Sequence, residues 1–202
     1  MSGQNLEAFP MSTASSIRRF VNALAEGQTF TTRDVVNLGP RSAVDRALAK
    51  LITKDRIVRL AHGVYMRGDE TTPLPSLAQI ASAKAASYGK ELLVQKEDLL
   101  EKLRLTAACS DKSVITYWVN GSSSEFKYGD KKIIFKSVSA KRVQLLKKGG
   151  PALSLAALAH VGKKKVTRTE IMMTATFNNH ERQQLKELLH AVPDWLSKFY
   201  LR

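Results

Sequence analysis

Residues 39–68 read GPRSAVDRALAKLITKDRIVRLAHGVYMRG, and this stretch restricts the fold of the 202-residue chain more tightly than any other. Pro40 suits the first turn of a helix, where its missing N–H is not needed. From there Val44, Ala47, Leu48 and Leu51 recur at the spacing of one helical face, while Ser42, Arg46, Ala49, Lys50 and Thr53 fall on the opposite one. The spacing predicts a helix running to about Thr53. Asp55 then marks a turn, and two short β-rich runs, Ile57–Leu60 and Val64–Arg67, fold over His62-Gly63 as a hairpin.

Two further helices precede this unit. Ile17, Phe20, Val21 and Leu24 predict an amphipathic helix over residues 13–25, stopped by Gly27. Thr31 followed three residues later by Asp34 resembles a capping box, and Val35, Val36 and Leu38 fill a short second helix that Gly39 ends. After the hairpin, GDETTPLPS carries Pro73 and Pro75 and reads as a linker.

The rest alternates. Helices are expected from Leu77 to near Gly89 and over Lys96 to Leu103, then strands at VITYWV (114–119), SEFKY (124–128) and KKIIFK (131–136), forming a small antiparallel sheet. More helices follow at Ser139–Lys148, Ala152–Val161, Thr169–Thr174 and His180–Ala191, with Trp195 and Phe199 closing the core. The expected class is α+β, divided into residues 1–70, a linker at 71–76 and a mixed domain at 77–202.

Charge then narrows the partners. Thirty-two Lys and Arg against 18 Asp and Glu give a net charge of +14, which favours a polyanion or an acidic protein. The excess is uneven: Lys127 to Arg168 holds 12 basic residues and one acidic residue. A single cysteine, Cys109, excludes an intrachain disulfide and reads as a small buried hydrophobe. The start MSGQNLEAFPMS has no signal-peptide pattern, and the longest apolar run, ALSLAALAHV, is half of the roughly 20 residues that span a bilayer. A cytoplasmic protein without membrane partners is expected.

Helix, short helix, longer helix and hairpin is the order of a winged helix-turn-helix, whose third helix enters the major groove while the wing meets phosphate. On this reading Arg41, Ser42 and Arg46 read bases, arginine being able to grip guanine O6 and N7 together. Arg33, Lys50, Thr53, Arg59, His62 and Arg67 meet the backbone and set register. Arg18 and Arg19 read as ordinary surface, and Asp45 as a partner that holds a neighbouring arginine.

The run Gly39-Pro40-Arg41-Ser42-Ala43-Val44-Asp45-Arg46-Ala47-Leu48, with Arg56-Ile57-Val58-Arg59-Leu60 and Gly63-Val64-Tyr65, resembles the N-terminal domain of AbiEi-type antitoxins of type IV toxin-antitoxin systems. The likeness continues more loosely through the Pro-rich linker, VITYWVNGSSSEFKYGDKKIIFK and PALSLAALAHVG. The resemblance implies a bacterial repressor that binds repeats in its own promoter as double-stranded DNA, and a second domain that counters a nucleotidyltransferase-like toxin. Relatives that act alone on mobile elements are the alternative. Two positions depart from the pattern: Asp55 stands where glycine often precedes the wing, and His62-Gly63 where the tip is often Arg-Gly or Lys-Gly.

The basic block comprises Lys127, Lys131, Lys132, Lys136, Lys141, Arg142, Lys147, Lys148, Lys163, Lys164, Lys165 and Arg168. Lys131, Lys132 and Lys136 are expected on the solvent face of the sheet, opposite Ile133 and Phe135, all contributing to one positive surface for DNA backbone, an acidic toxin or RNA. Tyr117, Trp118, Phe126 and Tyr128 are candidates for base stacking, with a core role as the competing reading. Catalysis has no visible support, since the chain lacks a Gly-rich phosphate loop, HExxH, Cys/His metal spacing and GxSxG. His62, His160, His180 and His190 are scattered, His160 reading as a core or boundary residue. Neither an enzyme, a metal nor a cofactor is expected.

Overall fold

The computed structural model describes residues 12–105, 111, 113–168, 170–171 and 177–200. Cys109 and most of the helix expected at 169–174 lie outside them. The class is α+β, in two compact units, Met1–Ser87 and Tyr88–Arg202.

The first unit opens with α1 (Thr13–Ala23), whose cap Ser12 accepts from the Ser15 N–H at 3.3 Å. β1 (Thr29–Thr31), absent from the expectation, precedes α2 (Thr32–Val35), which continues as one 3-10 turn over Val36–Leu38. The Asp34 carboxylate accepts from both the Thr31 N–H and its hydroxyl, at 2.7 and 2.9 Å, as the Thr-x-x-Asp spacing suggests. α3 (Arg41–Ile52) buries Val44, Ala47, Leu48 and Leu51 against Ile17 and Val21 of α1, Phe30, Ile57 and Tyr65. Full burial contributes about 1.5–3 kcal/mol for each of the larger aliphatic side chains.

β2 (Ile57–Ala61) and β3 (Val64–Arg67) form the expected hairpin, with Gly63 at φ 73° in the turn and Asp55 at φ 50° before it. The sheet order is β1-β3-β2, so β1 covers the edge that the hairpin would otherwise leave open. Gly39 does not end its turn in the left-handed form. It is extended (φ 163°), and its need is steric, because a Cβ there would lie 2.0 Å from Thr13 Oγ1.

α4 (Leu77–Ser87) corrects the expected division at 76/77. It packs on β1 and β3 and belongs to the first unit. The 71–76 stretch is irregular but not a free linker, since buried Thr72 bonds Glu26 and Asp69.

The second unit has a four-stranded sheet of β4 (Glu91–Gln95), β5 (Val114–Asn120), β6 (Ser124–Tyr128) and β7 (Lys131–Ser137) in the order β4-β5-β7-β6. The three expected strands are present, but their pairing is not the purely antiparallel one expected. β5 and β7 run parallel at the centre, and only the β6–β7 turn at Gly129 makes a hairpin. The most apolar strand, β5, takes a doubly flanked position, and the polar strand SEFKY goes to the edge.

α5 (Lys96–Lys102), α6 (Ala140–Lys148), α7 (Pro151–Val161), α8 (Asn179–Lys186) and α9 (Asp194–Tyr200) complete the unit. Their core contains Leu99, Trp118, Leu145, Leu155, Leu185 and Leu196, with Trp195 and Phe199 packed against it as expected. No helix among the described residues is long and apolar enough to cross a membrane.

Candidate nucleic-acid interface

In the first unit the exposed side of α3 carries Ser42, Arg46, Ala49, Lys50 and Thr53. Arg46 is exposed and lies back along the helix, its Nε donating to the Ser42 carbonyl at 3.2 Å. Arg41 is exposed as well but does not share that face. Five residues at 100° each put it about 140° from Arg46, where its Nε sits 3.1 and 3.0 Å from the two Asp45 carboxylate oxygens.

The hairpin tip carries Arg59 and His62, both exposed, with Arg59 Nη2 3.0 Å from His62 Nδ1. The turn is anchored from behind. Lys84 of α4 is buried and donates its ammonium to the His62 carbonyl, and Thr32 N–H donates to the Gly63 carbonyl at 3.0 Å. Lys84 was not among the expected site residues, although its spacing from Leu77, Ile80 and Ala81 puts it on the face that α4 buries.

Two residues expected at the backbone have work inside the unit. Arg67 is half-buried, and its Nη1 donates to the Asn22 carbonyl at 2.9 Å and to the Leu24 carbonyl, closing the C-terminus of α1. The Thr53 hydroxyl donates to the Ala49 and Lys50 carbonyls at 2.9 and 3.2 Å, so its proton is committed to the end of α3. Arg33 remains exposed, with one long bond of 3.4 Å to the Ser87 carbonyl.

Beside Lys50 runs a groove of about 650 Å³ between α1 and α3, whose charged lining is Arg18, Lys50, Lys54 and Arg56. No carboxylate among the described residues lines it. Arg18 therefore belongs with the basic side of α3 rather than with unrelated surface, a grouping that single-helix periodicity does not show.

In the second unit the basic block divides. Alternation puts Lys131 on the same side of β7 as Ile133 and Phe135, not opposite them, because 131, 133 and 135 share parity. Lys132, Ile134 and Lys136 occupy the other face, with Lys127 directly across from Lys132 and Lys136 directly across from Trp118. Lys132 pairs with Glu125 at 2.9 Å, and Lys147 with Glu91 at 2.6 Å, a contact that holds the Glu91 carboxyl below its usual range. Lys141, Lys148, Lys163, Lys164, Lys165 and Arg168 are exposed.

Trp118 is fully buried and is not available for stacking on bases; Tyr117 is buried too, and Phe126 packs on Phe135. The Arg142 guanidinium lies 5.3 Å from the Trp118 ring, and His160 meets the same ring edge-on at 4.9 Å. Burial, then the charges of Arg142, Lys96 and Lys136, push the His160 pKa down to about 4. Burial also lowers that of Arg142.

These features define an α+β chain of two units, each with a basic face. The chain belongs to the family of unknown function DUF6088, whose model matches residues 16–185. No curated protein and no solved structure matches it.

Proposed function

We propose that the first unit is a winged helix-turn-helix that grips duplex DNA with α3 and the β2–β3 hairpin. On this reading the chain represses its own promoter, and its second unit counters a nucleotidyltransferase-like toxin. The observation that carries the DNA half is the outward row Ser42, Arg46 and Lys50 on α3, followed at once by a pinned hairpin with Arg59 and His62 exposed at its end. The antitoxin half rests on the resemblance to AbiEi-type antitoxins.

Within this reading Arg46 and Ser42 meet base edges, and Lys50, Arg59, His62 and Arg33 meet phosphate. Arg41 contributes only after loosening its contact with Asp45. A gel-shift series against the upstream promoter tests it. Arg46→Ala reduces preference for the operator over unrelated duplex by a factor set by about 1–3 kcal/mol. Lys50→Ala and Arg59→Ala weaken binding to every duplex and lower the salt slope by about one each. Equal, sequence-blind losses from all three variants would remove the base-reading role. Co-expression of the full chain with a nucleotidyltransferase-like toxin of the kind the resemblance implies tests the other half: growth is restored, and Arg46→Ala still restores it.

A second reading, RNA binding through the second unit, is favoured by one observation: Lys127, Lys132 and Lys136 share one sheet face. Promoter duplex that fails to displace bound RNA at physiological salt would favour it over DNA binding.

A further inference from the structure

Trp118 of β5 is the floor of a corner that four other elements close. β7 brings Lys136, its partner in the parallel ladder and on the same face; strands so paired lie about 4.8 Å apart. α6 brings Arg142, stacked at 5.3 Å, and α7 brings His160 at 4.9 Å. α5 brings Lys96 and Glu97.

Cations outnumber acids there, even counting Asp194, which lines the pocket beside Arg142 together with Lys141. Glu97 is the acid facing His160, and both its oxygens are engaged: Oε1 with Lys96 at 2.9 Å, Oε2 with the Thr116 N–H at 3.1 Å. Arg142 and Lys136 have no carboxylate within ion-pair distance among the described residues, and Arg142 is half-buried. A guanidinium is taken out of water at a cost that a neighbouring anion normally offsets. The same face continues to Lys132 and Lys127, placed directly opposite one another, a pairing of like charges that a folded sheet tolerates at a loss and only Glu125 relieves.

We propose that this corner binds a phosphoryl group, gripped by the Arg142 fork and the Lys136 ammonium, with His160 as a hydrogen-bonding partner and Trp118 as the rigid support for the guanidinium. The planar fork of arginine matches two oxygens of a phosphate, and the point charge of lysine takes the third. The site is independent of the DNA-binding surface assigned to the first unit, so its loss and the loss of that surface are separately observable.

The full chain in phosphate-free buffer is titrated by NMR at the His160 imidazole, alone and then with inorganic phosphate, with a nucleoside monophosphate, with a single-stranded oligonucleotide and with polyglutamate at matched ionic strength. Alone, the midpoint is about 4. An anion seated between Arg142 and Lys136 favours the imidazolium and raises that midpoint by about one pH unit. A rise with phosphate and mononucleotide at the same or lower concentration than with the oligonucleotide supports a free phosphate ligand. A rise at tenfold lower oligonucleotide concentration supports a nucleic-acid strand as its source. Arg142→Gln and Lys136→Gln each weaken the response about tenfold, while Arg142→Lys retains part of it. No movement of the wild-type midpoint with any phosphate-bearing probe overturns the proposal, as does a response confined to polyglutamate; the wild-type measurement decides this even if a variant fails to fold.

Discussion

Arg41 Nε lies 3.1 and 3.0 Å from the two carboxylate oxygens of Asp45, one turn further along α3, with the side chains 62% and 52% exposed. The pair therefore holds an arginine at the start of the helix by an acid rather than by the core. Exposed pairs of this spacing are worth only about 0.3–0.5 kcal/mol, so Asp45→Asn should leave the melting temperature almost unchanged. If α3 faces DNA, the same variant removes a negative charge from the interface and raises affinity for all duplexes at low salt. A gel shift at two salt concentrations checks both parts; unchanged or weaker binding would place Asp45 away from the duplex.

Gly39 faces Thr13 across the start of α1, with no room for a methyl group. Gly39→Ala should destabilise the unit by about 2 kcal/mol through overpacking. Thr13→Ala in the same chain should recover part of that loss, since the two positions touch. Denaturant midpoints of the single and double variants measure the coupling, and strict additivity would mean that the contact is not the cause.

Lys84 ties α4 to the hairpin turn through the His62 carbonyl, at a position only 6% exposed. Lys84→Met keeps the stem and removes the donor, costing about 1 kcal/mol. Amide exchange should quicken at residues 62–64 and stay unchanged in α1, because the effect is local. Exchange that rises throughout the unit would show a general loss of packing instead.

His160 makes the second unit sensitive to acid. Its folded pKa, about 4, lies below the ordinary value of 6.5 because burial and three nearby cations disfavour the imidazolium. Above pH 6.5 the ring is neutral folded and unfolded, and it contributes no pH dependence. As pH falls from 6.5 to about 4 the unfolded chain takes up the proton first, so stability declines across that window and the contribution is lost once the folded ring titrates. Urea midpoints in phosphate-free buffer should show this slope in the wild type and a flatter one in His160→Gln.

Local chemistry is what the chain states openly. The Thr31–Asp34 bond, the turns at Asp55 and Gly63 and the buried face Val44, Ala47, Leu48 and Leu51 each depend on residues a few positions apart, and each is present as read. Reading failed where a side chain's partner lies far along the sequence. Arg67 looked like a wing cation, but its guanidinium closes α1, 43 residues upstream at Leu24. Lys131 was misplaced for a simpler reason: strand parity puts it with Ile133 and Phe135. At the Trp118 corner, Arg142, His160 and Lys136 are separated along the chain and meet only because β5 and β7 run side by side with α6 and α7 packed over them.

Sequence by itself determined α1 and α3, the β2–β3 hairpin and the sides of α3 that are apolar or charged, because hydrogen bonds and turn geometry of neighbours decide them. Tertiary structure alone decided that β7 inserts between β5 and β6, that β1 and α4 complete the first unit, and which cations stand without acids. Those outcomes depend on which apolar surfaces bury each other across long loops, and that competition leaves no periodic mark on the chain.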